Sequence, residues 1–357
     1  MSLEDLRGQI DALDQQIIAL LKRRAELSYL VGQEKAALGL PVYDPQREAA
    51  LLDALAAGDL GRLERRALEA IYREVLSASR ALQHQLQVAY LGPEHTFSHL
   101  AAVKHFGCSC GLLPRPTIDE VFGAVERGSA DFGVTPIENT IQGVETRTLD
   151  SFIESPLLIC GELFVDVHIC LAASGELRQI ERVHSHPQPL AQCHRWLKAN
   201  LPQAETVTAA STAAAAAAVA AANDPTQAAL ATAAAAAHHG LRVLAESIED
   251  QPHNRTRFFV IGRVAPGPTG SDKTSLLFTT RHQSGALHSA LAPFGAHQIN
   301  LTLIQSRPAP ARLEGPHIFY ADLEGHQEDL AVRQCLRELR DLTQTLKVLG
   351  SYPQCRQ

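Results

Sequence analysis

The sequence predicts a multidomain protein that begins with an all-α segment, continues with an α/β segment and ends with an α+β segment. Apolar residues recur at helical spacing through residues 1–86, and short strand-like runs alternate with helical runs through residues 87–265. Residues 272–357 give the order strand, helix, strand, strand, helix, strand, which is that of the ferredoxin-like fold. A linker rich in Pro and Gly at 266–271 precedes this last segment, so we expect three domains with these bounds.

Three helices are predicted in the first segment. The first covers residues 6–38, where the apolar residues form one stripe at about 100° per residue. A second helix begins after Asp44, a good N-cap that is followed by Pro45, and a third covers residues 63–86. The stripe of the first helix consists of Leu6, Ile10, Leu13, Ile17, Leu20, Leu27, Val31 and Leu38.

Two cations, Arg24 and Lys35, fall within that apolar stripe. A buried cation without an anionic partner is unfavourable by several kcal/mol, so both need an anion. They share a helix face about 16 Å apart, and their long side chains can grip a small dianion between them. Their spacing alone leaves open an internal ion pair with Asp44 and Glu48. Arg7 lies about 25 Å from Arg24 along the same helix, so it reaches this site only from a second chain, which predicts a dimer.

Composition excludes several classes of partner. The 357 residues carry a net charge of −7, which argues against nucleic acid and against an acidic membrane surface. The closest cysteines, Cys108 and Cys110, match no standard zinc or redox spacing, so we expect reduced thiols.

The chain starts with acidic residues and has no signal-peptide pattern, which predicts a cytoplasmic protein. The alanine-rich stretch at 209–222 predicts a soluble helix and not a membrane span.

Polar motifs adjoin predicted strands at three places in the α/β segment: residues 92–98 follow a strand, residues 133–140 end one, and residues 254–259 lead into one. The alternation of strands and helices predicts largely parallel sheets. Open α/β sheets bind ligands at the carboxyl ends of their strands, so we expect these motifs to meet in one site. The turn at 92–98 leads into a helix whose first N–H groups suit a carboxylate.

The residues of the first segment also carry a family resemblance over its whole length. The pattern consists of Leu6-Arg7, residues 10–14, residues 20–27, Val31-Gly32, Lys35, Pro41-Val42, Asp44, Arg47-Glu48, Ser79 and Gln83. It closely resembles the all-helical chorismate mutase family, in which chorismate rearranges to prephenate without a nucleophile or a metal. The resemblance implies eight substrate contacts: Arg7 (from the partner chain), Arg24 and Arg47 on the carboxylates, Lys35 and Gln83 on the ether oxygen, Asp44 and Glu48 on the ring hydroxyl, and Ser79 in support of a carboxylate.

The three polar motifs and residues 184–193 together resemble the prephenate dehydratase family over about residues 87–263. This resemblance implies two α/β lobes around a cleft, similar to periplasmic binding proteins, and the loss of CO2 and hydroxide from prephenate to give phenylpyruvate. It implies that Thr256 contacts the leaving hydroxyl. The other implied substrate contacts are Arg257 and the backbone around Ser98 on a carboxylate, Asn139, Ser185 and Gln192 along the cleft with Glu138 in support, and Phe258.

The tail resembles the ACT domain, a ferredoxin-like module that binds amino acids in biosynthetic enzymes. The matching motifs are Gly285, Ala286 and Leu287 at a helix start, and Gln305, Ser306, Arg307 and Pro308 at a strand end. The resemblance implies that these seven residues bind L-phenylalanine and mediate feedback inhibition. The family usually has Glu where this chain has Gln305, so we expect an altered affinity. The alternative is a tail that serves mainly as a structural dimerisation module.

These observations predict a bifunctional enzyme of phenylalanine biosynthesis that acts on chorismate and prephenate, needs no cofactor, and forms a homodimer or a dimer of dimers. One alternative is a dehydratase half that prefers arogenate. A mutase fused to a prephenate dehydrogenase requires a G-x-G-x-x-G turn after a strand, which the sequence lacks. A solute-binding or sensor protein is a further alternative, and the missing signal peptide and the helical module argue against it.

Overall fold

A computed structural model of the chain describes residues 2–310 and 313–355. The described residues form two compact units. The first contains the residues up to Gln87 together with Phe106–Gly111, and the second contains Val88–His105 and the chain from Leu112 onward. Within this described part, no helix is both long enough and apolar enough to cross a membrane.

The first unit contains the three predicted helices, α1 (Leu3–Leu38), α2 (Pro45–Ala56) and α3 (Arg65–Gln83). Ser2 begins α1 with a capping box, because its hydroxyl accepts from Asp5 N at 3.1 Å and its own N donates back to Asp5. Asp44 caps α2 by accepting from Arg47 N at 2.9 Å. None of the residues of α1 is buried, so the apolar stripe of this helix is not covered within the described chain.

The α/β segment of the second unit forms two lobes, each built on its own sheet. The first lobe has the strand order β2-β1-β3-β11-β5, with β4 paired to β3, and the second has the order β10-β6-β9-β7-β8. In chain order the elements are β1 (Gln87–Leu91), α4 (Phe97–Phe106), β2 (Gly111–Arg115), α5 (Ile118–Glu126), β3 (Phe132–Asn139), β4 (Gly143–Val144), α6 (Thr146–Glu154), β5 (Leu158–Asp166), β6 (Cys170–Ala173), β7 (Arg182–Ser185), α7 (Pro187–Gln192), α8 (His194–Asn200), β8 (Glu205–Thr208), α9 (Thr212–Ala222), β9 (Gln227–Ala231), α10 (Ala233–His238), β10 (Arg242–Ala245) and β11 (Arg255–Gly262).

The prediction of largely parallel sheets is wrong, because both sheets are mixed. In the first lobe β1 and β3 are parallel, whereas β11 is antiparallel to β3 and to β5. In the second lobe β7 is parallel to β8 and β9, whereas β6 is antiparallel to β9 and β10. The chain passes between the lobes twice, from β5 to β6 and from β10 to β11, and these passages are not the helical crossovers that make neighbouring strands parallel.

The tail confirms the predicted strand and helix order. Its elements are β12 (Asp272–Thr279), α11 (Ala286–Ala296), β13 (Leu301–Pro308), β14 (His317–Glu324), α12 (Leu330–Leu342) and β15 (Thr345–Pro353). The strands form an antiparallel sheet in the order β13-β14-β12-β15, which is the ferredoxin-like arrangement.

Both faces of the tail sheet are covered. Leu276 and Leu339 belong to a core between the sheet and the two tail helices. On the other face, Leu277 and Tyr352 belong to the core that also contains Phe259 of the first lobe. The tail and the first lobe therefore share one hydrophobic core, in agreement with their place in one compact unit.

Candidate active sites

The helical unit brings the two cations of α1 against its other helices. Arg24 Nη1 donates to Ser79 Oγ, and the Ser79 hydroxyl donates in turn to Val75 O at 2.7 Å. Lys35 Nζ donates to Val42 O at 2.9 Å, in the loop before α2. Both cations are half-buried, so they face the interior of the unit while the apolar residues beside them are exposed.

Arg80 is a residue of this site that the sequence reasoning missed. It is 5% exposed, and its Nη1 lies 2.5 Å from both carboxylate oxygens of Glu48. Burial raises the pKa of Glu48, although Arg80 opposes that shift. Glu48 therefore pairs with Arg80, whereas the hydrogen bonds of Arg24 and Lys35 go to Ser79 and Val42, so the alternative of an internal ion pair of these two cations with Asp44 and Glu48 is wrong in its partners. The sequence contains a signal that Arg80 is buried, because Arg80 follows Leu76 by one helical turn and both lie on the buried face of α3.

The other predicted mutase residues differ in exposure. Gln83 lies against α1, since a Cβ at Gly32 would come within 2.7 Å of Gln83 Cγ. The buried Gln83 Oε1 has no hydrogen-bond partner among the described residues, which leaves an acceptor for a ligand hydrogen. Arg7 and Arg47 are exposed and reach no interior position within the described chain.

The second unit has a cleft with a volume of about 630 Å³ that both lobes line. This volume is typical of small-molecule sites. The cleft brings together six of the predicted dehydratase residues: Ser98, Glu138, Asn139, Gln192, Thr256 and Phe258. Gln192 Nε2 is buried without a partner in the described structure, which leaves a donor for a ligand in the cleft.

Thr256 is hydrogen-bonded by one neighbour in a way that leaves its hydroxyl hydrogen unused. Asn139 Nδ2 donates to Thr256 Oγ1 at 3.0 Å and to Asn254 Oδ1 at 2.8 Å. Asn139 Oδ1 accepts from the backbone N of Ile141 at 3.0 Å, which orients the amide. A hydroxyl that already accepts a hydrogen bond has its one hydrogen left to donate, so Thr256 can donate to an acceptor in the cleft.

Two predicted dehydratase residues have other partners. Ser185 is fully buried and donates to Leu230 O at 2.8 Å, so it supports the second sheet and does not line the cleft. Arg257 is 4% exposed and donates to Glu162 and Asp322 at 2.8 and 2.6 Å. These contacts contradict the prediction that Arg257 anchors a substrate carboxylate. The reason is that Arg257 follows Thr256 directly on a strand, so the two side chains point to opposite faces.

The second lobe contributes residues to the cleft to which the sequence reasoning gave no role there. Ser211 and Thr212 line it at the start of α9, and Ser211 Oγ accepts from Ala214 N at 3.0 Å. The start of α4, with Ser98, lines the cleft from the first lobe. Two helix N-termini therefore line the same space, an arrangement that favours anionic groups.

The predicted phenylalanine-binding residues lie at two places in the tail. Gly285 has a φ of 80° and precedes α11, a left-handed conformation that glycine adopts without strain. Gln305, Ser306, Arg307 and Pro308 end β13, the edge strand of the tail sheet. Arg307 Nη1 donates to Thr146 O at 3.1 Å and to Asp150 at 2.5 Å, so this strand contacts α6, whose first residue lines the cleft.

No group of three or more His, Cys, Asp or Glu side chains within residues 2–310 and 313–355 is arranged to hold a metal ion. The described cysteines are free thiols. Burial raises the pKa of Cys110 to about 11, so this thiol is protonated at neutral pH.

Two family models match successive parts of the chain. The family model for chorismate mutase type II matches residues 6–84, and that for prephenate dehydratase matches residues 88–266. A bifunctional chorismate mutase/prephenate dehydratase of Aquifex aeolicus is 43% identical over 98% of each chain, and one of Stutzerimonas stutzeri is 41% identical over 98% of this chain and 97% of its own. The structure of an Arthrobacter aurescens prephenate dehydratase in complex with L-Phe is 34% identical, with a TM-score of 0.70, and the match covers 75% of this chain and 90% of that one.

Proposed function

The chain belongs to the bifunctional chorismate mutase/prephenate dehydratases of phenylalanine biosynthesis, and we propose how its residues divide the two reactions. The helical residues 1–86 rearrange chorismate to prephenate. The cleft of residues 87–265 converts prephenate to phenylpyruvate, and residues 272–357 form an ACT domain that regulates this second step. The observation that carries the proposal for the cleft is the hydrogen bond from Asn139 to Thr256, because it leaves the Thr256 hydrogen free to donate.

In the mutase site the substrate is a dicarboxylate whose ether bond breaks during the rearrangement. Arg24 binds one carboxylate with Ser79 beside it, and Lys35 stabilises the negative charge that develops on the ether oxygen. The half-buried positions of both cations support these roles, because a partly desolvated cation stabilises a nearby anion more strongly than an exposed one does. Gln83 donates from its amide Nε2 to the same oxygen, while Asp44 and Glu48, which also binds Arg80, hold the ring hydroxyl.

The mutase site is completed by a second copy of the chain. The apolar stripe of α1 is exposed over its length, with Leu13 56% and Leu20 67% exposed, and a stripe of this size marks an interaction surface. A second α1 covers the stripe and brings Arg7 to the site of its partner. Arg7 and Arg47, both exposed in the single chain, then bind carboxylates. The assembly is a homodimer or a dimer of such dimers.

In the cleft, the bond between the ring and its carboxylate breaks and CO2 leaves. The electron pair of this bond moves into the ring and expels hydroxide from the opposite ring carbon, which gives the aromatic product. Thr256 donates its hydrogen to the departing hydroxyl, so that the leaving group carries less negative charge. The helix start at Ser98 binds one carboxylate, and the start of α9 binds the other across the cleft. Glu138, Gln192 and Phe258 hold the ring between the lobes.

The ACT domain binds L-phenylalanine at the start of α11 and at the end of β13, and binding lowers dehydratase turnover. The related prephenate dehydratase in complex with L-Phe supports this ligand for the present chain. The contact of Arg307 with α6 supports a route from the ligand to the cleft. Gln305 carries no charge, so we expect L-phenylalanine to bind without a contact to a carboxylate side chain at this position.

Assays of the purified full chain test the proposal. Chorismate is supplied, and the absorbance of phenylpyruvate in base is followed, with prephenate and arogenate as separate substrates. We expect phenylpyruvate from chorismate and from prephenate, and inhibition by L-phenylalanine. Accumulation of prephenate without phenylpyruvate would restrict the activity to the helical unit. Faster turnover of arogenate than of prephenate would assign the cleft to arogenate, and turnover unchanged by L-phenylalanine would leave the tail a structural role.

A further inference from the structure

The interface between the first lobe and the tail contains a network of buried charged side chains. At its centre, Arg257 of β11 donates from Nε to Glu162 at 2.8 Å, from Nη1 to Asp322 at 2.6 Å and from Nη2 to Tyr352 Oη at 3.1 Å. Glu162 belongs to β5 of the same lobe, whereas Asp322 and Tyr352 belong to β14 and β15 of the tail. The guanidinium is thus held jointly by the lobe and by the tail.

The network sets two cations against two carboxylates, and every oxygen of these carboxylates has a hydrogen-bond partner. Lys273 Nζ lies 3.0 Å from Glu162 Oε1, and Ser275 Oγ donates to Asp322 Oδ1 at 2.6 Å. With Arg257 these contacts occupy both oxygens of each carboxylate. Two cations therefore face two carboxylates in a water-poor interior, where removal of one partner leaves the other charge uncompensated.

The same guanidinium is one residue from the predicted catalytic hydroxyl. Thr256 and Arg257 are consecutive on β11, and their register partners on β3 are Asn139 and Glu138. Asn139 holds Thr256 on the cleft face, while Arg257 holds the strand from the opposite face. The position of Thr256 is thus fixed by Asn139 on one face and by the buried network on the other.

From this arrangement we infer that Asp322 and Tyr352 of the tail are positioning residues for the dehydration step, because they hold Arg257 and, through it, the Thr256 hydroxyl. The inference rests on the role of Thr256 in the proposed function. It gives the tail a part in catalysis that does not depend on L-phenylalanine.

A third acid beside the guanidinium shows what the loss of Asp322 would do. Glu138 Oε2, on the edge of the cleft, lies 4.0 Å from Arg257 Nη1. Without the Asp322 carboxylate, the guanidinium turns toward Glu138, and the end of β11 that carries Thr256 moves with it. A displacement of about 1 Å at a reacting group lowers a rate by about 100-fold.

The test compares Asp322→Asn with Lys347→Met in the full chain. Lys347 is a matched control, because it also joins the tail to the first lobe, through Phe152 O at 2.8 Å and Ser155 O at 2.6 Å, but it makes no contact with the network. For Asp322→Asn we expect dehydratase kcat to fall by about 10- to 100-fold with little change in KM for prephenate. For Lys347→Met we expect kcat to stay within about twofold of the wild type. We expect this even if Lys347→Met lowers the melting temperature as much as Asp322→Asn does.

Two further variants keep the test decisive. Tyr352→Phe removes one hydroxyl and no charge, so it carries the test if Asp322→Asn fails to fold, and we expect a kcat lower by about threefold to tenfold. The double variant Arg257→Gln, Asp322→Asn removes both charges. We expect its fold-loss of kcat to be smaller than the product of the fold-losses of the two single variants. Chorismate mutase turnover of each sample reports the amount of active protein.

The inference is overturned if Asp322→Asn keeps wild-type kcat, or if its loss equals that of Lys347→Met at equal stability. Its failure is distinguishable from failure of the proposed function. Normal dehydratase turnover in Thr256→Ala would remove the catalytic role itself. An inactive Thr256→Ala beside a fully active Asp322→Asn would remove only the positioning role.

Discussion

The helical unit and the cleft of the second unit differ in what supports their functional side chains. In the helical unit, α1 carries Arg24 and Lys35 but has no buried residue of its own. In the second unit, β11 carries Thr256 and continues as a run of buried residues from Arg257 to Gly262 between two neighbouring strands. The cleft is therefore shaped by the core of one chain, whereas the mutase site, as we propose it, is completed by a second chain. Four changes test this difference, from the largest expected effect to the smallest.

Lys35→Ala removes the cation that we propose stabilises the negative charge developing on the ether oxygen. We expect mutase kcat to fall by about 1,000-fold, because such groups act mainly on the transition state, while dehydratase turnover of added prephenate stays unchanged. Stopped assays of both reactions on one sample measure this. Lys22→Ala is the matched control, since Lys22 is exposed on the same helix. A Lys35→Ala protein with normal kcat and a raised KM would show that Lys35 only binds the substrate.

Thr256→Ala removes the hydroxyl that we propose donates to the leaving group. Loss of one such donor lowers dehydratase kcat by about 100-fold or more, and we expect mutase turnover to be unaffected. Thr256→Ser keeps the hydroxyl and should restore most of the rate. Steady-state kinetics with prephenate decide the matter, and equal activity in the Ala and Ser variants would contradict the assigned role.

Leu13→Glu places a charge in the exposed stripe of α1. We expect a monomeric helical unit and a mutase rate lower by about tenfold or more, because a buried unpaired carboxylate disfavours the interface. The dehydratase rate should remain. Gln15→Glu adds the same charge on the polar side of the helix and serves as the control. Sedimentation with both assays measures the effect, and a dimeric, fully active Leu13→Glu protein would place the interface elsewhere.

Asp150→Asn breaks the pair between α6 and Arg307. The pair is partly exposed and therefore weak, so we expect the L-phenylalanine concentration for half inhibition to rise by about two- to fivefold. Asp119→Asn is the matched control, because it removes a pair with Arg147, also on α6, that does not involve the tail. An inhibition curve shifted equally in both variants would show that α6 acts without Arg307.

Local patterns explain which parts of the fold were predictable. Helical periodicity, the cap at Asp44 and the alternation in the tail each depend on neighbouring residues, so the three helices and the ferredoxin-like order were predicted within a few residues of their bounds. The mixed sheets were not predictable in this way, because the direction of β11 depends on where the chain returns from the other lobe.

The same distinction explains which site residues were predicted. Six dehydratase residues that the family motifs mark do line the cleft. Arg257 was assigned to the substrate because its partners are distant in sequence, with Glu162 at 95 residues and Asp322 at 65 residues. Arg80 was missed for a related reason, since Glu48 is 32 residues away. A sequence motif marks a position, but it does not reveal the partners that folding brings to it.

Mixing two inactive variants tests most directly whether the mutase site is shared between chains. Arg7→Ala and Lys35→Ala are each expected to lose mutase activity. A hybrid dimer pairs Arg7 of one chain with Lys35 of the other and restores one of its two sites. After unfolding and refolding an equal mixture, we expect roughly a quarter of the wild-type mutase rate, with the dehydratase rate unchanged. A mixture that stays inactive as a mutase would contradict the shared site, and so would an Arg7→Ala protein that is fully active alone.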